Sequence, residues 1–232
     1  MWWIIAGLIV LMLLCYCVAP VIWTRTFRKS CIYQTNQSGT VSLTFDDGPH
    51  PVYTPQLLDV LNALNVKATF FVLSHRAKQH PALIERMIYE GHDVEVHGHR
   101  HWFVPLLHPS ATYRQCIGAS RALISAFDID SRVYRPTWGA CNLATLLFIR
   151  VHRMRLCTWS VMVGDWRKTA PAELVDRIAK KLTDGAIIVL HDSDHTLGAE
   201  HGAPKEVIAA IPAIVQLVRA QGYQFVTISE CV

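Results

Sequence analysis

Carboxylates, imidazoles and one arginine recur in this 232-residue chain at the points where short apolar runs end. Asp46 and Asp47 sit in Thr44-Phe45-Asp46-Asp47-Gly48-Pro49, and His97 and His101 follow in His97-Gly98-His99-Arg100-His101. Arg135 opens Arg135-Pro136-Thr137-Trp138-Gly139, Asp165 precedes Trp166, and His191-Asp192 closes the run Ile187-Ile188-Val189-Leu190. One carboxylate and two imidazoles can hold a divalent metal, which leaves a second carboxylate and a third imidazole to move protons. That is the equipment of a metal-assisted hydrolase.

Taken singly, each group has an ordinary explanation. Asp-Gly-Pro punctuates many surface turns, and His92, His97, His99 and His101 together read as a histidine-rich loop. Adjacent carboxylates on an extended segment point to opposite sides, so one can bind a metal while its neighbour faces substrate as a base. His97 and His101, four residues apart, meet on one side if their segment forms a helical turn. Arg135 beside such a cluster is expected to orient Asp46 through a bidentate pair and keep it ionised. His191, at the end of an apolar strand and followed by Asp192, suits a general acid. Trp102, Trp138, Trp159 and Trp166 are divided between core positions and faces on which a sugar can stack.

These groups need a frame that brings distant residues together. Short β-rich runs at 41–46, 67–73, 93–97, 133–135, 156–162, 186–191 and 223–228 alternate with helical patterns near 55–65, 81–90, 110–127, 142–153, 171–182 and 205–221. Thr54-Pro55, Asn142 and Ala170-Pro171 mark helix starts, and Gly91, Gly185 and Gly222 mark stops. The alternation predicts an α/β fold, a closed or nearly closed (β/α) barrel of about seven parallel strands. In that architecture reactive groups collect at the C-terminal ends of the strands. Asp46, His97, Arg135 and His191 all fall there.

Residues 2–23 carry no charge and, as a helix, span roughly 30 Å, enough to cross a bilayer. Trp2, Trp3 and Trp23 stand where interfacial aromatics belong. No lysine or arginine precedes the run and Cys17-Val18-Ala19-Pro20 is a poor cleavage site, which favours a transmembrane anchor over a signal peptide. Residues 24–40 are polar and aperiodic and read as a linker. The globular domain is expected over 41–232. The seven cysteines are odd in number and show no close metal-type spacing outside the N-terminal apolar segment, so no disulfide framework is expected. A net charge of +4 without a long basic run gives no reason to expect nucleic acid.

The ordered set Thr44–Pro49, His97/His101, Arg135–Gly139, Asp165-Trp166 and Ile188–Asp192 resembles the five motifs of the polysaccharide deacetylases, carbohydrate esterase family four with its NodB homology domain. The resemblance runs from about residue 40 to 229. It implies a deformed (β/α) barrel that removes N-acetyl groups from N-acetylglucosamine-type polymers such as peptidoglycan or chitin and releases acetate. By matching positions it implies Asp47, His97 and His101 as metal ligands, usually for zinc. Asp46 would be the base, Arg135 its partner, His191 the acid and Asp165 the residue that tunes the acid. The Trp138 N–H would contact the oxyanion.

Two positions depart from the family pattern. Gly98 stands where Ser or Thr commonly follows the first metal histidine, and Met162 stands where a further Asp is frequent. An O-acetyl esterase on the same scaffold, or a membrane-tethered glycan-binding protein without activity, are the alternatives. The positive charges of Arg25, Arg28 and Lys29 favour a cytoplasmic domain by the positive-inside rule. The substrates implied by the resemblance place it on the extracytoplasmic face, and that argument is preferred.

Overall fold

The computed structural model describes residues 1–231. Eight parallel-paired strands form one sheet: β1 (Thr40–Asp46), β2 (Thr69–Leu73), β3 (Asp93–Gly98), β4 (Val133–Tyr134), β5 (Arg155–Leu156), β6 (Val161–Met162), β7 (Ile187–His191) and β8 (Gln224–Phe225). Their order is β5-β4-β3-β2-β1-β7-β6, with the short β8 added to the start of β1. The sheet curls into a deformed barrel whose terminal strands, β5 and β6, do not pair among the described residues.

Both faces of the central strands are covered, as their sequences require. β1 reads Thr-Val-Ser-Leu-Thr-Phe-Asp and β2 reads Thr-Phe-Phe-Val-Leu, and every residue of both is buried. Such β-branched and aromatic runs fit a parallel sheet clad in helices. Leu57, Leu58 and Leu61 of helix Tyr53–Ala63 and Val207, Ile211, Ile214 and Val218 of helix Ala203–Ala220 join Val41, Leu43 and Phe45 in the main core. Helix Leu143–Val151 starts as its sequence predicts, with the Asn142 side chain accepting from the Thr145 N–H at 2.9 Å. The six expected helices are present, and a short one, Ser74–Gln79, was not anticipated.

The single strand expected over 156–162 is two. Between β5 and β6 the chain crosses from the β4 edge to the β7 edge, so the gap in the barrel lies at residues 157–160. Ser160 then joins β7, its N–H donating to the Ile187 carbonyl.

The N-terminal helix runs Trp2–Thr26, with a mean hydropathy of 2.7 over its most apolar window. Its first fourteen or so residues are exposed, but its second half is docked on the domain. The Tyr16 hydroxyl donates to the Leu107 carbonyl at 2.8 Å, and Pro20 and Thr24 are buried. Residues 24–40 are therefore not a free tether. Thr24 packs against Cys141, Ile32 forms a parallel bridge to Cys157 and Gln34 an antiparallel bridge to Ala186. Their polar composition concealed this because the packing uses isolated residues rather than a periodic face.

Candidate active site

Segments at the C-terminal ends of the strands surround a cavity of about 280 Å³. Asp46, Asp47, His97, His101, Trp138 and His191 line it, with Trp159, Met162, Trp166 and Thr196. Arg135 and Asp165 stand one layer behind, fully buried, each bonded to a group that lines the cavity. All eight residues singled out from the sequence thus converge on one place.

Asp46 ends β1, and its register partner on β7 is His191. Asp47 has already left the strand, with a backbone φ of +78°. That turn replaces the opposite-face alternation expected for an extended pair and lets both carboxylates reach the same cavity. Gly48 is required next, because a Cβ there would collide with the Asp192 carboxylate.

Asp47, His97 and His101 each offer a ligand atom within 4.8 Å of the others. The Nε2 atoms of both histidines lie 3.2 Å from Asp47 Oδ1. Ligands bonded at about 2.0–2.1 Å around a tetrahedral cation are separated by about 3.3 Å, so the spacing fits a small divalent metal. His97 Nδ1 must donate to the Arg135 carbonyl at 2.8 Å, which leaves Nε2 with a free lone pair. Asp47 Oδ2 accepts from Thr196 Oγ1 at 2.9 Å, whereas the buried Oδ1 has no hydrogen-bond donor. The donor set therefore fits zinc-type chemistry.

The two histidines do not share a helical turn as the spacing suggested. His97 is in β3 and His101 lies in an irregular loop. The side chain of Gln115, buried on the neighbouring helical segment, shapes that loop. Its Oε1 accepts from the His99 and Arg100 N–H groups at 3.0 and 2.9 Å, and its Nε2 donates to the Arg100 carbonyl. Gly98 belongs to this arrangement. Its φ is +147°, and a Cβ on it would sit 2.9 Å from Gln115 Nε2.

Electrostatics separate the roles of the ionisable groups. Burial opposes charge on Asp47, yet the His97 imidazole against it and the nearby His101 and His191 hold it well below the usual carboxylate range. Burial pushes His101 down to about 4, so it is neutral and able to ligate. His191 goes the other way. Burial lowers it, but the Asp165 carboxylate beside Nδ1 and the charges of Asp47 and Asp46 together raise it to about 10. Asp165 Oδ2 lies 3.1 Å from Nδ1 and accepts the His191 backbone N–H at 2.7 Å. This fixes the ring and leaves Nε2 as the atom that can deliver a proton.

Arg135 is fully buried, its guanidinium 3.9 Å above the Phe71 ring. Its contact with Asp46 is single rather than bidentate. Nη1 donates to Asp46 Oδ1 and Thr44 Oγ1, both at 2.7 Å, while Nη2 donates to the Thr158 carbonyl at 3.0 Å. The second fork arm is drawn off by the chain crossing between β5 and β6. Trp138 holds a left-handed backbone, φ +54°, uncommon for a bulky residue, and its ring lies 4.1 Å from that of His101.

His92 and His99 stand outside the metal-type set: His92 Nδ1 accepts from the Ala68 N–H and His99 Nδ1 meets Ser74 Oγ. Three contributors were not visible in the sequence. Thr196 bonds a proposed metal ligand across 149 residues. Arg76 ties the first motif to the last, donating to the Asp47 carbonyl at 2.7 Å and the His195 carbonyl at 2.8 Å. Arg25 lines the cavity from the N-terminal helix. None of the three sits in a local pattern that could have marked it.

Comparison with known proteins agrees with this fold. The family model for polysaccharide deacetylases matches residues 33–156. The peptidoglycan-N-acetylglucosamine deacetylase PgdA of Listeria monocytogenes is 34% identical over 193 residues, covering 82% of this chain and 38% of that protein. A chitooligosaccharide deacetylase of Sinorhizobium fredii is 33% identical, covering 81% of this chain and 91% of its own. Among solved structures, the Bc1960 peptidoglycan N-acetylglucosamine deacetylase superposes with a TM-score of 0.81 at 24% identity, over 90% of this chain and 95% of that one. The chain spans well under half the length of the Listeria relative.

Proposed function

Since the chain belongs to the polysaccharide deacetylase family, we propose that it is a metal-dependent hydrolase that removes N-acetyl groups from an N-acetylglucosamine-containing polysaccharide, peptidoglycan or chitin-like, and releases acetate. The observation that carries the reading is the pairing of Asp46 with His191 on adjacent strands, next to the Asp47-His97-His101 set and facing the same cavity. Glycan binding alone needs neither a base nor an acid.

Asp47, His97 and His101 would hold the metal, with zinc the choice best matched to two imidazoles and one carboxylate. When bound there, a divalent ion supplies Lewis acidity toward water and the acyl oxygen. Asp46, kept in place by Arg135, accepts a proton from the attacking water. The Trp138 N–H donates to the developing oxyanion, a contact worth roughly 3 kcal/mol where such donors have been removed. His191, held protonated by Asp165, donates to the leaving nitrogen, so that acetate and a free amine result.

The N-terminal helix would anchor the protein in a membrane, with the domain on the extracytoplasmic face beside its substrate. The test is acetate release by the zinc-loaded full chain in detergent, measured on chitooligosaccharides, peptidoglycan fragments and acetylated xylan. Release from the first two supports N-deacetylation. Release from xylan alone would make the protein an O-acetyl esterase, and none from any of them would leave a glycan-binding protein.

A further inference from the structure

The wall of the cavity contains a charge that the reaction above does not use. Arg25 comes from the last turn of the N-terminal helix, and its guanidinium stacks 4.2 Å from the centre of the Trp159 ring. Its Nη1 is buried and donates to nothing. No carboxylate among the described residues forms an ion pair with it, although Arg135 has Asp46 and Arg76 has several carbonyl and hydroxyl partners.

The surroundings are built to admit this side chain. Gly139 has a φ of +62°, and a Cβ there would collide with Arg25 Nη1 and with the Trp159 ring. The helix is held in register by Tyr16 on Leu107, by buried Pro20 and by Thr24 against Cys141. An arginine that served only as an interfacial anchor would extend toward headgroups and water. This one turns inward, over an aromatic face, beside a second buried guanidinium; Arg135 lies 5.8 Å from the same ring.

Arg135 is matched by Asp46, whereas Arg25, over the same indole, has no carboxylate partner in a partly desolvated site. Desolvating such a group is costly unless an anion pairs with it. We propose that Arg25 is a substrate-binding residue that pairs with a carboxylate or phosphate carried by the sugar undergoing deacylation. The assignment rests on the deacylation reading for the identity of the bound molecule, but not for the binding itself. It makes the anchor helix part of the active-site wall and gives the enzyme a preference for anionic over neutral amino sugars.

Direct binding separates the two questions. The full chain carrying Asp46→Asn, zinc-loaded in nanodiscs, is titrated calorimetrically with three probes: neutral di-N-acetylchitobiose, a disaccharide containing N-acetylmuramic acid, and N-acetylglucosamine 1-phosphate. One anionic probe at least should bind about tenfold more tightly than the neutral one, as one charge-assisted pair allows. Which of the two does so identifies carboxylate or phosphate as the source. Adding Arg25→Gln should bring the ratio of anionic to neutral Kd close to one, and Arg25→Lys should recover part of it. In the Asp46-intact chain the same preference should appear in KM rather than kcat. Equal affinity for all three probes, or a loss with Arg25→Gln that is the same for neutral and anionic sugars, overturns the assignment. If the preference holds while no probe or polymer is ever deacetylated, the hydrolase reading fails and the anion site stands.

Discussion

Asp46 and His191 are register partners on neighbouring parallel strands, so the separation between the proposed base and acid is set by the sheet itself rather than by loops. Each is then locked by a buried partner: Arg135 Nη1 at 2.7 Å from Asp46 Oδ1, and Asp165 Oδ2 at 3.1 Å from His191 Nδ1. A site built on strands holds its geometry more tightly than one built on mobile segments.

Asp46→Asn keeps the shape and removes the proton acceptor. Acetate release should fall by about 10²–10⁴-fold, the usual contribution of a positioned base. Zinc content per chain, measured by elemental analysis, should stay as in the parent because Asp46 is not among the ligand atoms that cluster. Undiminished activity in this variant would remove Asp46 from the role of base.

Asp165→Asn tests the acid. The native His191, raised to about 10, is protonated throughout the neutral range, so acid catalysis should be lost only as pH climbs toward that value. Without the Asp165 charge the histidine titrates lower, and the alkaline limb of the rate profile should move toward neutral pH. At pH 8.5 the variant should be roughly tenfold or more slower, with a smaller deficit at pH 6. A profile that merely scales down without moving would mean that Asp165 does not set the His191 proton.

The metal reading makes a stability claim as well. Asp47 Oδ1 is buried without a donor and faces two imidazole nitrogens at 3.2 Å, an arrangement that a cation relieves. Zinc present at a thousandfold over its Kd would stabilise the fold by about 4 kcal/mol. Stripping the ion with a chelator should therefore lower Tm by several degrees. His101→Ala should bind less than one equivalent of zinc and show little response to the chelator. An unchanged metal content in His101→Ala would be incompatible with the proposed ligand set.

Much of this site was legible because its groups are written at strand ends. The apolar run Ile187–Leu190 predicts a strand, and the polar residue after it, His191, inherits a defined place at the barrel mouth. The same logic placed Asp46, His97 and Arg135. It failed where local geometry departs from regular structure. Asp47 turns at φ +78° instead of alternating with Asp46, and His101 reaches His97 through a loop shaped by Gln115 rather than through a helical turn. It was blind to Arg25, Arg76 and Thr196, whose partners lie across long stretches of chain. The split of the strand expected over 156–162 is of the same kind: Thr158 turns its carbonyl to Arg135, a demand made by a residue 23 positions away.

If the N-terminal helix anchors the protein as proposed, its docking sets how the domain meets a bilayer. Only residues 2–15 stand free of the domain, about 21 Å of helix at 1.5 Å per residue, against a hydrocarbon thickness of about 30 Å. The helix packs beside residues 104–106 and helix Leu143–Val151, where Leu106, Leu147 and Val151 are exposed. That rim should therefore enter the interface. In nanodiscs containing a photoreactive lipid, peptides covering 103–107 and 143–151 should carry adducts, while the outward residues of helix Ala203–Ala220 should not. Labelling confined to residues 1–15 would place the domain clear of the lipid.

Glu95 offers a test of the fold that leaves the chemistry aside. It lies on β3, is buried, and its Oε2 accepts from Ser131 Oγ and from the Val133 N–H at 2.9 Å. Burial outweighs these bonds and raises its carboxyl from 4.5 to about 7. A group whose folded pKa is raised contributes stability that is complete below its unfolded value and disappears as pH rises through the folded one. Glu95 should thus contribute up to about 3 kcal/mol at pH 4.5, a contribution that is gone by pH 8. Other buried groups titrate in the same range; burial pushes Asp192 up to about 7 and His92 down to about 4. The informative quantity is therefore the difference between Glu95→Gln and the parent in denaturant midpoints at pH 5, 6, 7 and 8. Glutamine keeps the acceptor and carries no charge, so the variant should gain on the parent steadily from pH 5 to pH 8. A difference that stays constant across that range would mean that Glu95 is ionised in the folded protein throughout.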